Sequence, residues 1–195
     1  MYGLKIIVAT LVGTSLFVPS ASADPGSPRT QPQLTVKLLN ANGSGCRHTT
    51  TTMPVDAQVL PSGAVAVRYR GFAVSGNDYK SCVLMASVAT PAGWTYLIPS
   101  VANQAAVTLG SSATATLSTN MWFTGLDWTV HDTKNAAGPR TGAWNTSVVP
   151  SRTAWAPCGT SVNLSIAETV RVAGSLASTA SLVSTSLGVP KWRRC

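Results

Sequence analysis

The residues with the clearest catalytic potential form a short polar run around one histidine. His131 directly precedes Asp132 and lies four residues after Asp127, so a carboxylate could orient the imidazole for proton transfer near neutral pH. A serine would complete a hydrolytic site, but the sequence contains no Gly-x-Ser-x-Gly segment of the kind that presents a nucleophilic serine. We therefore assign no catalytic residue and rank a hydrolase that uses His131 third among three hypotheses.

Carboxylates are too few and too scattered to indicate a second type of active site. Glycoside hydrolysis needs two carboxyl groups that face each other across the scissile bond, and the chain has only 6 Asp+Glu. They are Asp24, Asp56, Asp78, Asp127, Asp132 and Glu168. Their spacing indicates no such pair, so we expect a protein that is not an enzyme and that binds no cofactor.

The 6 tryptophans are a stronger functional signal, because an exposed indole ring can stack on a sugar ring. Four of them are expected to be structural. Trp128 belongs to an alternating apolar run, which predicts burial in the core, and we expect the same of Trp122. Trp94 and Trp155 adjoin proline, glycine or cysteine and are expected to pack over disulfides.

The other two tryptophans belong to no alternating apolar run and are predicted to be exposed. One lies in the segment 134–150, whose glycines and prolines predict a long exposed loop, and the other lies in a basic cluster near residue 195. An aromatic ring among cations suits an anionic or polysaccharide surface. A solvated strand edge that resists aggregation is the alternative interpretation of the cluster. The candidate ligand contacts are Trp144, Trp192, Lys191, Arg193 and Arg194.

Four cysteines without a C-x-x-C pair predict two disulfides and no metal site. Sequence alone leaves three connectivities open. We prefer Cys46 with Cys82 and Cys158 with Cys195, because each of these bridges closes a separate, sequence-local unit.

The amino terminus predicts export. A positively charged start, an apolar run over residues 6–18 and a small-residue site ending at Ala23 predict a signal peptide over 1–23, cleaved after Ala23. Residues 24–32 are rich in proline and are expected to form a flexible leader. No stretch reaches the roughly 20 apolar residues of a transmembrane helix. The net charge is +8 with only 10% charged residues, which predicts a basic, secreted protein with a surface of small polar residues.

Short alternating runs separated by glycine, proline and asparagine predict an all-β fold, an antiparallel β-sandwich stapled by two disulfides, in a single domain over 33–195. The run 65–69 is an example, with apolar side chains at every second position. The runs 82–90 and 94–98 flank a Pro-Ala-Gly turn and are predicted to form a hairpin.

Four blocks around the cysteines are similar to those of a known family. The blocks are Gly43-Ser44-Gly45-Cys46, Lys80-Ser81-Cys82 with Pro91-Ala92-Gly93-Trp94-Thr95-Tyr96, Trp155-Ala156-Pro157-Cys158-Gly159, and Lys191-Trp192-Arg193-Arg194-Cys195. Together they resemble the secreted four-cysteine domain-of-unknown-function family 4360 of filamentous fungi and actinomycete-type bacteria. The resemblance implies a small exported disulfide-bonded β protein and transfers no catalytic residues.

Three hypotheses of function from different classes remain open. The first is a non-enzymatic extracellular binding or interaction module for cell-wall or polysaccharide surfaces. The second is a secreted protease inhibitor, in which the segment 134–150 presents Arg140 to a trypsin-like enzyme. The third is the hydrolase that uses His131. We expect a monomer, and no nucleic-acid partner, because no nucleic-acid-binding motif accompanies the basic charge.

Overall fold

A computed structural model describes residues 32–47 and 54–195, which form strands and the turns between them. The predicted signal peptide and residues 24–31 of the predicted leader lie outside the described residues. The described residues include no helix with the length and hydropathy needed to span a membrane.

Thirteen strands occur in the described part of the chain. They are β1 Thr35–Asn42, β2 Val55–Val59, β3 Val65–Tyr69, β4 Ala73–Ser75, β5 Asp78–Ala89, β6 Trp94–Leu97, β7 Val101–Leu109, β8 Thr114–Phe123, β9 Thr129–Ala137, β10 Arg140–Val148, β11 Ser161–Ala173, β12 Thr179–Leu187 and β13 Lys191–Arg194. A five-stranded sheet has the order β1-β5-β11-β8-β9. A six-stranded sheet has the order β10-β7-β12-β3-β2, with β4 also paired to β12. The pair β13-β6 forms a separate two-stranded sheet.

Alternating burial along the strands produces a sandwich of the two large sheets, as predicted. In β7 every second residue from Val101 to Leu109 is buried, and in β8 every second residue from Ala115 to Phe123 is buried. Successive side chains of a strand point to opposite faces. One face of each sheet therefore meets the core and the other meets solvent.

Two predictions about local elements are wrong. The segment 134–150 consists of the end of β9, a turn at 138–139, the whole of β10 and the two residues after it, and β10 pairs with β7 along its full length. The predicted hairpin is also absent, because β5 pairs on its two sides with β1 and β11, whereas β6 pairs with β13. These strand partners are distant in sequence, so a local turn signal does not reveal them.

Both predicted disulfides are present with the preferred connectivity. Cys46 is bonded to Cys82 and Cys158 to Cys195, with sequence separations of 36 and 37. In the chain-entropy model a loop of that size stabilises the fold by about 4 kcal/mol. The first bridge ties the segment after β1 to β5, and the second ties the end of β13 to the segment before β11.

A ring of hydrogen bonds crosses the interior between the two large sheets. Asn103 Nδ2 donates to Thr119 Oγ1 at 2.8 Å, and Thr119 Oγ1 donates to Glu168 Oε2 at 2.7 Å. Thr185 Oγ1 lies 3.1 Å from Glu168 Oε1 and 2.8 Å from Asn103 Oδ1. Tyr69 OH lies 3.4 Å from Thr185 Oγ1. The ring links β8 and β11 of one sheet to β7 and β12 of the other.

The number of protons in this ring favours a neutral Glu168. The single hydroxyl proton of Thr185 can reach only one of its two acceptors, Asn103 Oδ1 or Glu168 Oε1. Both contacts become hydrogen bonds when Glu168 carries a proton, because its carboxyl group then donates to Thr185 and Thr185 donates to Asn103. Burial raises the pKa of Glu168 from its usual 4.5 to about 8, against the hydrogen bonds from Thr119 and Thr185, which lower it.

The raised pKa predicts a pH dependence of stability. The folded state retains the Glu168 proton to higher pH than the unfolded state does, so this contribution to stability is complete below about pH 4.5 and is lost as the pH rises through about 8. Within that window the free energy of unfolding should fall by up to about 1.4 kcal/mol per pH unit. The variant Glu168→Gln should lack this slope, as measured by urea unfolding at pH 4 to 9.

An exposed carboxylate provides the matched control for this experiment. Asp127 is 72% exposed and pairs with Arg152, so Asp127→Asn should keep the wild-type slope. Constant wild-type stability between pH 5 and pH 8 would show that Glu168 ionises without cost in the folded protein, and would refute the closed ring.

Candidate functional site

The structure buries Trp144, which was predicted to be exposed. Trp144 is only 5% exposed and packs in the core between the sheets. Its strand β10 is polar at most positions, but Trp144 lies on the face that points inward, opposite Ala105 of β7. The prediction of exposure is therefore wrong, and the indole ring is not part of a solvent-facing surface.

The other predicted contacts lie on β13 and differ in exposure. Trp192 is half-buried and packs against the core, with its ring centroid 6.1 Å from that of Tyr96 and 6.4 Å from that of Trp94. Lys191, Arg193 and Arg194 are exposed. The cations of β13 are therefore exposed to solvent, whereas the Trp192 ring is partly buried against the core.

Each exposed arginine of β13 stacks on a tryptophan. Arg193 Cζ lies 4.3 Å from the centroid of the Trp155 ring, and Arg194 Cζ lies 4.1 Å from that of the Trp94 ring. Both distances are within the range of a cation–π contact. Trp94 and Trp155 thus hold the two guanidinium groups.

Trp122, which was predicted to lie in the core, is exposed on the surface of a sheet. It is 41% exposed, whereas its neighbours Met121 and Phe123 are buried. The three consecutive apolar residues hide the alternation of the strand. The longer run of inward positions from Ala115 to Phe123 shows that Trp122 points outward, and this signal could have identified it.

Trp122 occupies the middle of a row of side chains that crosses the solvent-facing side of the five-stranded sheet, which we call the open face. Strand register fixes the row as Met85, Ser165, Trp122 and Thr129, extended by an isolated bridge to Arg152. The adjacent row is Val83, Ala167, Asn120 and His131. An exposed aromatic ring is therefore surrounded by apolar, amide, hydroxyl and cationic side chains.

Exposed apolar side chains are concentrated on this sheet. Of the nine large hydrophobic residues that are exposed in the described part of the chain, five lie on β1, β5 or β8, namely Leu39, Tyr79, Val83, Met85 and Trp122. The six-stranded sheet has only Val183, which lies where the register of β12 shifts. Because clustered exposed apolar residues mark binding surfaces, the open face is the better candidate of the two.

Hydrogen bonds between neighbouring strands hold polar side chains on the open face. His131 Nδ1 is hydrogen-bonded to Asn120 Oδ1. On the same pair of strands Thr116 Oγ1 donates to Asn135 Oδ1 at 2.8 Å. Side chains that are already held lose less conformational freedom when a ligand binds.

The structure does not assemble the proposed hydrolytic site around His131. Asp132 Oδ1 is paired with Lys134 Nζ at 3.0 Å, and Asp127 Oδ1 with Arg152 at 3.0 Å. His131 has Asn120 as its hydrogen-bond partner, not a carboxylate. Within residues 32–47 and 54–195, no three His, Cys, Asp or Glu side chains are grouped so that they could hold a metal ion.

The segment proposed to present Arg140 to a protease is part of a sheet. Arg140 is the first residue of β10, pairs with Leu109 and donates from its guanidinium to Ala143 O at 3.2 Å. The long loop on which the inhibitor hypothesis depends is therefore absent from the described structure.

Comparisons with known proteins give one family and several distant structures. Residues 32–195 match the family described as "Domain of unknown function (DUF4360)". No curated protein sequence matches the chain significantly. TmCBM61, solved in complex with beta-1,4-galactotriose, has a TM-score of 0.32 at 13% identity, over 83% of this chain and 88% of that one. The xylan-binding module CBM15 has a TM-score of 0.30 at 14% identity, over 80% and 96%. The Family 11 Carbohydrate-Binding Module from Clostridium thermocellum, in complex with beta-1,3-1,4-mixed-linked tetrasaccharide, has a TM-score of 0.23 at 12% identity, over 80% and 89%.

The position of the arginines should depend on the second disulfide. β13 has four residues and a single neighbouring strand, and an isolated two-stranded pair is only marginally stable. Replacing both Cys158 and Cys195 with serine should abolish hydrogen-exchange protection of the amides of 191–194, while β8 stays protected. The double replacement of Cys46 and Cys82 is the control and should leave β13 protected. Full protection of 191–194 without the Cys158–Cys195 bridge would contradict this dependence.

Proposed function

We propose that this protein, which belongs to the DUF4360 family, is a non-enzymatic module that binds polysaccharide outside the cell through the open face of its five-stranded sheet. The observation that carries the proposal is the exposed Trp122 ring on the fourth strand of that sheet. A flat indole offers a large contact area and has few rotatable bonds to immobilise.

The apolar centre of the open face suits the ring of a sugar. Met85 lies in the same row as Trp122 with only Ser165 between them, and Val83 lies in the next row. The faces of pyranose rings carry C–H groups, which pack against aromatic and apolar side chains. The residues between these side chains are small, with Ser165 between Met85 and Trp122 and Ala167 in the adjacent row, so they leave the space above the sheet open.

The polar border of the open face suits sugar hydroxyl groups. An amide side chain both donates and accepts hydrogen bonds, as a hydroxyl does, and Asn120 and Asn163 supply such groups on the outward positions of β8 and β11. A few fixed polar groups beside an apolar surface are the usual means by which a site orients its ligand.

The arrangement of carboxyl groups supports binding without catalysis. The two carboxylates closest in sequence to His131 are held in ion pairs with Lys134 and Arg152. The buried carboxyl group of Glu168 faces the interior of the sandwich, away from the open face. Two facing carboxyl groups, which glycoside hydrolysis requires, are not found on the described part of the open face.

The extracellular location rests on the cysteines and on the predicted signal peptide. All four cysteines form disulfides, and disulfides persist mainly in oxidising compartments outside the cytosol.

The experiment that tests the proposal measures retention on polysaccharides. We expect the disulfide-bonded protein to be retarded in native gels that contain a soluble β-glucan, a xylan or a galactan. Trp122→Ala should weaken that interaction by about tenfold or more, as for other central aromatic contacts. Trp122→Phe, which keeps an aromatic ring, should retain most of the affinity.

Val183→Ala provides the matched control, because Val183 is 49% exposed on the six-stranded sheet. This variant should bind like the wild type. Equal retardation of Trp122→Ala and wild type, or no retardation of the wild type by any of the three polymers, would overturn the proposal.

A further inference from the structure

The two-stranded sheet carries cations that the described structure leaves without acidic partners. The ion pairs among the described residues join Lys134 to Asp132 and Arg152 to Asp127. Arg193 and Arg194 form neither an ion pair nor a side-chain hydrogen bond with any described residue, and both are exposed. Their N–H groups are thus available to a ligand.

Contact with a tryptophan ring holds each guanidinium group in place, with Cζ of Arg193 4.3 Å and Cζ of Arg194 4.1 Å from the ring centroid. An arginine that lies over an indole has one face covered, while the N–H groups at its planar edge stay free. The planar fork of N–H groups matches two carboxylate oxygens at once. Because the side chains are already held, binding costs less conformational entropy than it would for a free arginine.

The backbone around the stacks is also fixed. Ala156 N donates to Tyr96 O at 2.9 Å, and Gly159 N donates to Trp94 O at 3.1 Å, so the segment that carries Trp155 is attached to β6. The adjacent disulfide between Cys158 and Cys195 closes the unit. The backbone that carries these cations is therefore fixed by the disulfide and by hydrogen bonds to β6.

The positions of the cations indicate a ligand that carries several separate anionic groups. Successive residues of a strand point to opposite faces, so Arg193 and Arg194 diverge, while Lys191 and Arg193 share a face about 7 Å apart. Cations that diverge do not converge on one doubly charged phosphate. Each cation can instead bind one singly charged carboxylate, on a ligand that carries several carboxylates along its chain.

We propose that β13, with the stacks Arg193–Trp155 and Arg194–Trp94, is a second binding site, which takes polysaccharides that carry carboxylate groups. This site is separate from the open face and binds by charge-assisted hydrogen bonds, whereas the open face binds neutral sugar rings. A polymer with uronate residues supplies repeated carboxylates, so that one segment can meet Lys191 and Arg193 on one face of β13 and another segment can meet Arg194 on the other face.

The test measures affinity for immobilised polygalacturonate at low and at high salt. The double variant Arg193→Gln, Arg194→Gln should bind about tenfold more weakly at low salt than the wild type does. The matched control is Arg68→Gln, Arg70→Gln, which removes two charges from exposed positions in and directly after β3 and should change affinity by less than about twofold. A second variant pair, Arg193→Lys, Arg194→Lys, keeps the charge but loses the planar fork, and should weaken binding several-fold.

Several outcomes would overturn the proposal. Equal losses of affinity in the Arg193→Gln, Arg194→Gln variant and in the Arg68→Gln, Arg70→Gln variant would show that net charge alone attracts the polymer. Wild-type affinity in the Arg193→Lys, Arg194→Lys variant would show that the planar guanidinium group is not needed. Equal or tighter binding to inorganic polyphosphate, or to poly-glutamate, would contradict the assignment to carboxylated polysaccharide. Trp122→Ala should weaken binding to polygalacturonate less than the Arg193→Gln, Arg194→Gln pair does. That pair should weaken binding to neutral polymers less than Trp122→Ala does, so the two sites can fail independently.

Discussion

The closed ring of hydrogen bonds around Glu168 constrains the rest of the sandwich. It places two side chains from each large sheet, Thr119 and Glu168 against Asn103 and Thr185, within hydrogen-bond distance across the core. Buried polar groups without partners are costly, with a typical loss of about 1–3 kcal/mol each. The ring is satisfied in a single register and with a single protonation state of Glu168. Hydrophobic contacts alone tolerate small shifts, whereas these four polar groups do not.

This internal constraint also determines what the open face displays. A slip of one residue between paired strands would exchange every inward and outward side chain. With Thr119 and Glu168 held inside, Asn120, Trp122 and Thr169 must face solvent on the neighbouring positions of β8 and β11. The five-stranded sheet thereby presents the Trp122 ring among apolar and polar side chains. The two-stranded sheet of β13 and β6 adjoins the Cys158–Cys195 bridge and carries both arginine–tryptophan contacts.

The sequence predicts the fold class and the disulfides because both depend on local signals: alternating apolar residues and cysteines that each close a short unit. It does not predict strand partners that are distant in the chain, which is why 134–150 was expected to be a loop and 82–98 a hairpin. The candidate site was predicted only in part. The cations of β13 were identified from composition, but Trp144 and Trp122 were assigned to the wrong environments. Trp144 points inward from a polar edge strand, so its sequence context indicates exposure. Trp122 points outward between Met121 and Phe123, so its sequence context indicates burial.

The central claim is that the open face, and not the opposite sheet, binds neutral polysaccharide. The most direct measurement is an NMR titration of ¹⁵N-labelled protein with soluble oligosaccharides of whichever neutral polymer retains it. We expect the largest amide and indole shifts at Trp122, Asn120, Ser165 and Met85, which lie in neighbouring rows of one sheet. Shifts concentrated instead at Gln104, Asn145 and Ser184, on the outer side of the six-stranded sheet, would contradict it.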